Sequence, residues 1–513
     1  MNDTTTMDTV LGARVLHHLY RDSVALLRIA STTERLDGVV RVGAVMATPA
    51  NLGILDQSEM LPDDLAATAD DLVFVVRAAD EQAVAEALDA AEAALTVAES
   101  TAGNHAEQLP GTIPEGIAAA QHDHGVAATL ATISVPGTYA SVVAEQSLRH
   151  GLHVLCFSDN VPVDEEVRLK TMAVERRLLM MGPDCGTAIL DGSPLGFANV
   201  VRRGRVGIVA ASGTGAQEVS RLIDAAGGGV SQLIGVGGRD LSAEVGGLMT
   251  DLALDFLVDD DETTVIVVVS KPPSGEVADR LIARLSEIAA SGTPTVACFL
   301  GLDDSPASAP ATQVCIRGTL EGGAIAAASR DGHPFKVTDV GTDDLERPGG
   351  RVLGLFTGGT LASEARLILR RGGVSAEVLD LGDDQYTAGK PHPMIDPDAR
   401  ATLIAAAGAD PSVGVILLDV VLGFGASPDP ATPVAEAVHA ARHAAGVDGR
   451  RVVVIGSICG TDGDPQSLTG QRRILESAGI VLCETNAAAA RLALALSTPQ
   501  AAQAATHDQG ARA

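Results

Sequence analysis

Two glycine- and hydroxyl-rich turns, each between an apolar strand and a helix, are the residues best suited to chemistry. The first is Ser212-Gly213-Thr214-Gly215, which follows a strand that begins near Arg205. Unpaired N–H groups and the positive end of a helix dipole meet at such a turn, so it can bind phosphate or carboxylate. A plain tight turn, in which glycine only eases packing, is the alternative. No Gly-Lys-Ser/Thr follows, so the turn is not a P-loop.

The second turn, Gly358-Gly359-Thr360, looks like a copy of the first. Six residues recur 146 positions later, namely Arg205, Val206, Gly213, Thr214, Ala216 and Glu218 as Arg351, Val352, Gly359, Thr360, Ala362 and Glu364. Each turn precedes a helix and three further strands in the same order. The pattern predicts two homologous doubly wound domains, residues 204–330 and 351–497, joined by the polar stretch 331–350. Paired helix N-termini from the two copies would then converge on one anion.

Three further side chains are candidates for chemistry, each with a structural alternative. Lys271 ends an apolar strand in VVVSKPPSG, where a cation suits an anionic substrate, although a solvated loop lysine fits as well. His392 lies between prolines in KPHPMIDPD, as an acid–base group or as a loop histidine bound to Asp396. Cys185 lies in GPDCGT, either at a helix start that lowers its pKa or as a buried structural thiol. No metal site is predicted.

Composition excludes several classes of function. The 513 residues carry a net charge of −30, which repels nucleic-acid backbones, so only a small anion held by a local device is compatible with it. No apolar run reaches the length of a membrane span. The N-terminus is polar and acidic, unlike a signal peptide, and the six cysteines form no CxxC pair. We therefore expect a cytoplasmic protein that binds neither nucleic acid nor membrane.

The remainder of the chain is predicted to be α/β with two less regular stretches. Residues 1–35 are predicted to be a helical lead-in to a small α/β unit, and residues 100–124 a polar linker, so that 1–124 form an N-terminal unit with its linker. In residues 125–203, predicted strands alternate with helices as in a Rossmann-like domain. Residues 498–513 are predicted to be a frayed tail. Three or four domains are the expectation for this length.

Several of these segments resemble one family. GRVGIVAASGTGAQEV, GVGGRDLSAE and MMGPDCGTAI are similar to stretches of the succinyl-CoA synthetase α subunit, and SVPGTYA and FSDNVP to its CoA-binding Rossmann domain. Residues 351–497, with ILLDVVLGFGASPDP, resemble the flavodoxin-like C-terminal domain of the β subunit. As a whole, residues 125–497 resemble the FdrA family of this superfamily. The fold class implied is α/β: a Rossmann-like CoA-binding-type domain and two flavodoxin-like domains after a small N-terminal α/β unit.

The resemblance also implies a set of binding residues. It places one phosphate-binding helix N-terminus at Ser212–Gly215 and the other at Gly423, Gly425 and Ala426, with Gly237 and Gly238 in the loop after the next strand. The resemblance also implies that a CoA-binding side of the site would be formed by Pro136, Ser158, Pro183 and Cys185. CoA is therefore a second candidate ligand beside phosphate, and no other cofactor is expected.

Departures from the synthetases shift the expected reaction. Residues 301–320, where the synthetases carry a phosphorylated histidine, contain none, and Lys271 stands near the place of the glutamate that orients it. No ATP-grasp domain fits the 513 residues. Part of the FdrA family is taken to be a component of oxamate carbamoyltransferase in ureide breakdown, which passes a carbamoyl group to phosphate.

The resemblance therefore implies acyl or carbamoyl transfer to phosphate in a hetero-oligomer. In this reaction Lys271 neutralises charge and His392 is the acid–base candidate. The alternatives are an acyl-CoA synthetase with a separate ATP-grasp partner, and a non-catalytic CoA- or metabolite-binding protein.

Overall fold

A computed structural model describes residues 9–497 apart from 20, 22, 59, 63–64, 102–109, 307–309, 311, 344, 346 and 388–390. The chain forms two compact units, residues 1–109 with 384–391, and residues 110–383 with 392–513. The three α/β domains predicted within 125–497 share the second unit, so their limits stay predictions. The predicted tail lies outside the described residues. Within the described ranges, no helix combines the length and the apolar character that crossing a bilayer requires.

The first unit is built on a three-stranded antiparallel sheet in the order β1-β3-β2. Its elements in residues 9–101 are β1 Val10–Leu16, α1 Ser23–Thr33, β2 Val39–Met46, α2 Pro49–Gln57, β3 Leu72–Ala78 and α3 Glu81–Thr101. The helical lead-in predicted for residues 1–35 is wrong at β1, which pairs with β3 along its whole length, from Val10 opposite Ala78 to Leu16 opposite Leu72. Pairing with a fully buried central strand decides the conformation of β1.

The predicted linker contains a helix, α4 Ile113–His124. Its N-terminus carries a capping box, in which Thr112 Oγ1 accepts from Glu115 N and the Glu115 carboxylate accepts from Thr112 N. Gly125 ends the helix in the left-handed conformation, at φ +67°. The T-I-P-E signature was present in the sequence, so this helix was predictable from local rules.

The Rossmann-like segment forms a short parallel sheet in the order β4-β5-β6. Its elements are β4 Leu130–Ile133, α5 Gly137–Arg149, β5 His153–Cys156, α6 Val163–Arg176, β6 Met180–Met181, β7 Thr187–Leu190 and β8 Ser193–Gly196. The hairpin β7–β8 leaves this sheet and joins the next one, because Ile189 pairs with Leu233 there. Residues up to 196 therefore contribute to the sheet of the domain that follows.

That next sheet has seven strands in the order β13-β12-β11-β9-β10-β7-β8. Its further elements are β9 Arg203–Ala211, α7 Gly213–Ala225, β10 Val230–Gly235, α8 Leu248–Val258, β11 Val265–Ser270, α9 Gly275–Ser291, β12 Thr295–Phe299, β13 Cys315–Arg317 and α10 Leu320–Arg330. The strands β10, β9, β11, β12 and β13 are parallel. Their apolar side chains form the core against helices on both faces.

The last sheet is fully parallel, in the order β15-β14-β16-β17-β18. Its elements and those that follow in chain order are β14 Arg351–Phe356, α11 Gly359–Arg371, β15 Ala376–Asp380, α12 Asp384–Thr387, α13 Asp398–Ala407, β16 Val413–Val421, α14 Ala431–Val447, β17 Val453–Cys459, α15 Leu468–Ser477, β18 Val481–Cys483 and α16 Asn486–Ser497. Strand for strand this is the order β10-β9-β11-β12-β13 of the preceding sheet. The predicted α/β class with two doubly wound, flavodoxin-like sheets is confirmed.

The two flavodoxin-like sheets share one apolar core and exchange hydrogen bonds reciprocally. The N–H of Leu320, the first residue of α10, donates to Glu364 Oε1 at 2.7 Å. The N–H of Asn486, the first residue of α16, donates to Glu218 Oε1 at 3.3 Å. Each sheet thus places a helix N-terminus on the buried glutamate of the other.

The two glutamates differ in their charge partners. Arg221 forms a buried ion pair with Glu218 at 2.6 Å, whereas the matching position beside Glu364 is Leu367. Burial raises the pKa of Glu364 to about 7, against the hydrogen bond from Asn486. Glu364 is therefore a buried acid whose charge is costly at neutral pH.

We expect Glu364→Gln to flatten the pH dependence of stability. Between the ordinary glutamate pKa and about 7, folded wild type binds more protons at this site than the unfolded chain, so its stability falls as pH rises. A shift of this size corresponds to about 3 kcal/mol at most, and glutamine, which has no charge, lacks this contribution. Thermal unfolding at pH 5 and pH 8 should show a smaller loss for the variant. Glu276→Gln, at an exposed position of α9, should behave like wild type; equal losses for all three proteins would contradict the assignment.

Candidate active site

The two predicted turns meet each other directly. Ser212 Oγ and Thr360 Oγ1 share a hydrogen bond at 2.6 Å, and Thr360 N donates to Thr214 Oγ1 at 3.3 Å. Ser212 also caps its own helix, since its Oγ accepts from Gly215 N at 3.1 Å. The N-termini of α7 and α11 therefore face one another, as the repeat of 146 residues predicted.

The first turn is surrounded by groups that suit an anion. Gly213 and Thr214 lie in the first turn of α7, where backbone N–H groups have no acceptor within the helix. The strands on either side of β9 place Gly235 and Val269 opposite Ala210, near the end of β9. Neither residue carries a charge, so neither supplies a carboxylate to this turn. Ser270 pairs with Ala211, so Lys271 follows at the level of Ser212. This turn thus offers N–H donors, hydroxyls and a nearby cation.

The second turn is already occupied by a carboxylate of the chain itself. Asp419, at the end of β16, accepts hydrogen bonds from Thr357 N at 2.8 Å and Gly358 N at 2.7 Å. Arg400 donates to Asp419 Oδ1 at 2.9 Å, and both side chains are buried. Because Asp419 supplies the negative charge here, the two turns are not equivalent.

A second carboxylate, Asp380, lies beside the same turn. Asp380 pairs with Phe356 in the register of β15 and β14, and its Oδ2 lies against Gly359. A Cβ built on Gly359 would be 3.4 Å from Lys271 Nζ, so the ammonium group and the Asp380 carboxylate both lie beside Gly359. Burial raises the pKa of Asp380, and the charge of Lys271 partly opposes this. Lys271 and Asp380 thus approach the meeting point of the two turns.

A narrow cleft opens beside the first turn and is lined by five of the thirteen predicted binding residues. It is lined by Asp184, Cys185, Gly186, Thr187, Ala210, Ser212, Gly213, Gly235, Gly237 and Gly238. Gly237, at φ +87°, lies against the Pro183 carbonyl, so a side chain at position 237 would prevent this close approach.

The residues predicted for a CoA side lie next to one another in the structure. Asp184 N donates to the Ser158 carbonyl at 2.9 Å. Pro136 caps α5, whose first residue, Gly137, lies against the backbone of 159–160. The four residues predicted for a CoA side are therefore contiguous.

A fully buried ion network holds one wall of this cleft. Lys170 Nζ donates to Glu166 Oε1 at 2.7 Å, to Asp240 Oδ1 at 2.7 Å and to the Val236 carbonyl at 2.8 Å. Asp240 in turn accepts from Thr250 N and Oγ1 at the start of α8. The loop that carries Gly237 and Gly238 is thereby fixed at both ends.

Of the two alternatives for Cys185, the buried structural thiol is confirmed. No helix begins at GPDCGT, which is the turn between β6 and β7, and burial raises the pKa of Cys185 to about 12. Its Sγ is in contact with the Thr187 carbonyl, as in a structural thiol. Gly423, Gly425 and Ala426 do not start a helix either, because α14 begins only at Ala431. The prediction of a second helix N-terminus at these residues is therefore wrong. Gly423 packs instead on the Phe197–Ala198 backbone, and Gly425 packs on the Phe197 ring.

His392 lies next to the second turn but is poorly suited to proton transfer. Its Nδ1 accepts from Met394 N at 3.2 Å, which assigns the ring proton of the neutral form to Nε2. The Nε2 side packs on Gly382, and the ring lies 6.3 Å from that of Phe197. Burial lowers the pKa of His392 to about 4. The predicted contact with Asp396 is a backbone bond, from Asp396 N to the His392 carbonyl.

Four residues of this site were missed in the sequence: Thr360 as a partner of Ser212, and Asp380, Arg400 and Asp419. The repeat already contained the signal for Thr360, which falls on Thr214. Asp380 is the last residue of β15 and Asp419 lies near the end of β16, so both are at the carboxyl edge of the sheet, where polar residues signal a site. Arg400 had no signal, because its partner is 19 residues away and its burial is a tertiary property.

Comparison with known protein families matches three segments. A family described as CoA-ligase matches residues 355–496, and a CoA binding domain matches residues 201–297. A family described as AllF, heavy metal-associated domain, matches residues 8–110. That segment holds no cysteine, and its described residues contain no group of three metal-binding side chains, so the residues present do not fit a heavy-metal site.

Individual relatives cover different shares of the chain. The uncharacterized protein YahF of Escherichia coli K12 is 39% identical over 91% of this chain and 95% of its own length. The mitochondrial ADP-forming succinate–CoA ligase subunit alpha-2 of Trichomonas vaginalis is 30% identical over 26% of this chain and 43% of its own. A solved acetyl-coenzyme A synthetase 1 from Ca. Korarchaeum cryptofilum, with phosphate and ADP, covers 72% of this chain and 82% of its own at 16% identity and a TM-score of 0.32.

We expect Cys185 to resist alkylation in the folded protein. All six cysteines are buried, and burial holds the pKa of Cys185 far above neutral, so little thiolate is exposed. Iodoacetamide at pH 7.5, followed by peptide mass spectrometry, should leave Cys185 unmodified while free glutathione reacts completely. In guanidinium chloride the same thiol should react fully. Fast native labelling of Cys185 would show that the wall of the cleft opens.

Proposed function

The chain belongs to the FdrA family of the succinyl-CoA synthetase superfamily, and on this premise we propose that it transfers an acyl or carbamoyl group to phosphate. The finer assignment is the phosphorolysis of oxalurate to carbamoyl phosphate and oxamate, the reaction of oxamate carbamoyltransferase in ureide catabolism. The observation that carries the proposal is the inequality of the two turns. Asp419 fills the second, so the first turn is the place for a substrate anion.

The groups around the first turn match the needs of this reaction. Attack by phosphate needs an anion cradle, a cation to offset its charge, and donors for the oxyanion that develops on the carbonyl. The N–H groups of Gly213 and Thr214 and the Ser212 hydroxyl supply the cradle, and Lys271 supplies the cation. The narrow cleft toward Gly237 and Gly238 adjoins this cradle.

Two features of the sequence favour phosphate as the acceptor over a phosphohistidine carrier. Residues 301–320 contain no histidine, and Lys271 replaces a carboxylate of the synthetases. A cation attracts phosphate, whereas a carboxylate orients a histidine. In this proposal the group is carried as an acyl phosphate in solution, and other subunits complete the assembly.

An acyl-CoA ligase with a separate ATP-grasp partner is the second candidate. It is favoured by the CoA-binding and CoA-ligase matches and by relatives named as subunits of succinate–CoA ligases. CoA would then lie along the contiguous group Pro136, Ser158, Pro183 and Cys185. A binding protein without turnover would use the same cleft, and the assay below separates the three functions.

The decisive assay supplies oxalurate and phosphate to the full chain, alone and with proteins that co-purify, and measures carbamoyl phosphate. A parallel reaction contains ATP, CoA and succinate. Carbamoyl phosphate without ATP or CoA is the expected result. ATP- and CoA-dependent thioester formation would instead establish the ligase function. If neither reaction forms product while phosphate or CoA still binds, the chain is a binding protein without turnover.

We expect Lys271→Ala to weaken phosphate binding by about tenfold, since one charge-assisted contact to an exposed cation is lost. Isothermal titration with inorganic phosphate measures this directly. Lys336→Ala removes an equal charge from an exposed loop position outside the site and should leave the affinity unchanged. Equal affinities for wild type and both variants would remove Lys271 from the site.

A further inference from the structure

We propose that Asp380 is the proton-transfer group of the reaction at the first turn. This deepens the proposed function and rests on it. The inference comes from the position of the carboxylate between Gly359 and Lys271, at the point where the two helix N-termini meet.

The two oxygens of Asp380 have different surroundings. Oδ1 accepts a hydrogen bond from Gly382 N at 3.1 Å, which fixes the carboxylate at the end of β15. Oδ2 lies against Gly359 and points to the region that Lys271 Nζ also reaches. The side chain is only partly exposed, so a bound anion would cover what remains open. One oxygen is thus anchored, and the other lies beside Gly359 in the region that Lys271 Nζ reaches.

Neither of the other candidates near this point is free to exchange a proton. His392 uses Nδ1 to accept from Met394 N, and its Nε2 side is packed on Gly382. Asp419 is fully buried, and its oxygens are bound by Thr357 N, Gly358 N and Arg400. Of the three groups Asp380, His392 and Asp419, Asp380 is the one with an oxygen beside Lys271 Nζ.

The charged groups that face Asp380 come from three elements. Lys271 approaches from the end of β11, Asp419 from the end of β16, and Asp383 follows in the same loop. Burial is the largest influence and raises the pKa of Asp380; the two aspartates act in the same direction and Lys271 in the opposite one. A carboxyl group whose pKa moves toward neutral exchanges protons more effectively near pH 7.

The step balances without a further reactant. An oxygen of HPO₄²⁻ attacks the carbamoyl carbon of oxalurate, forming a C–O bond, while Asp380 Oδ2 takes the remaining proton of the phosphate. The C–N bond then breaks, its electron pair stays on the nitrogen of oxamate, and Asp380 returns the proton to that nitrogen. The products are carbamoyl phosphate and oxamate, and Asp380 ends as the carboxylate it was.

The test compares Asp380→Asn with Asp383→Asn in the full chain, assayed with its co-purifying proteins. Asparagine keeps an oxygen for Gly382 N but cannot carry the proton. We expect kcat for oxalurate phosphorolysis to fall by about 10²–10³-fold in Asp380→Asn. Phosphate affinity, titrated with inorganic phosphate, should stay equal or increase, because a negative charge beside Lys271 is removed. The rise of kcat with pH that Asp380 imposes in wild type should be absent. Asp383→Asn should keep this rise but move it to lower pH, because it removes a charge that raises the pKa of Asp380.

Each other outcome overturns a defined part of this assignment. If kcat of Asp380→Asn stays within about threefold of wild type with the same pH profile, Asp380 does not transfer the proton and the proposed function stands. If phosphate affinity falls as far as kcat, Asp380 acts only by holding the turn. If wild type with its partners forms no carbamoyl phosphate, the proposed function fails, and the role of Asp380 fails with it.

Discussion

The structure of the site depends on one buried carboxylate, that of Asp419, held between Arg400 and the backbone N–H groups of Thr357 and Gly358. A helix N-terminus attracts negative charge, and here the protein supplies that charge from its own neighbouring strand. Removing one member of such a buried pair typically costs about 3–5 kcal/mol, so the arrangement is hard to reverse. It makes the two paired turns unequal, because the first turn has an uncharged residue, Val269, at the position of Asp419.

Much of this architecture followed from pattern alone. Apolar strands that alternate with helices predicted the doubly wound sheets, and the recurrence of Gly213-Thr214 at Gly359-Thr360 predicted that two helix N-termini would converge. These features are periodic and local, so one sequence displays them. The same holds for the T-I-P-E cap of α4, although that signal was read as a linker.

What the sequence could not show was which polar groups become neighbours. Lys271 was singled out, but its approach to Asp380 depends on strands from two different sheets. The second anion turn was sought at Gly423–Ala426, where the glycines instead allow close packing on the Phe197–Ala198 backbone. Cys185 and His392 were chosen for their chemistry, and both turned out to be governed by burial, which removes the thiolate of one and the charge of the other.

The reciprocal bonds from Leu320 to Glu364 and from Asn486 to Glu218 have the pattern of a two-fold symmetric dimer, in which each subunit lends the same group to its partner. Two identical subunits would have to carry identical turns, both filled by an internal carboxylate or both open. Covalent fusion of the two copies removes that restriction. Asp380, Asp419 and Arg400 in one half, and Lys271 and Arg221 in the other, are differences that two identical subunits could not maintain, and they make an asymmetric site from a symmetric pair of folds.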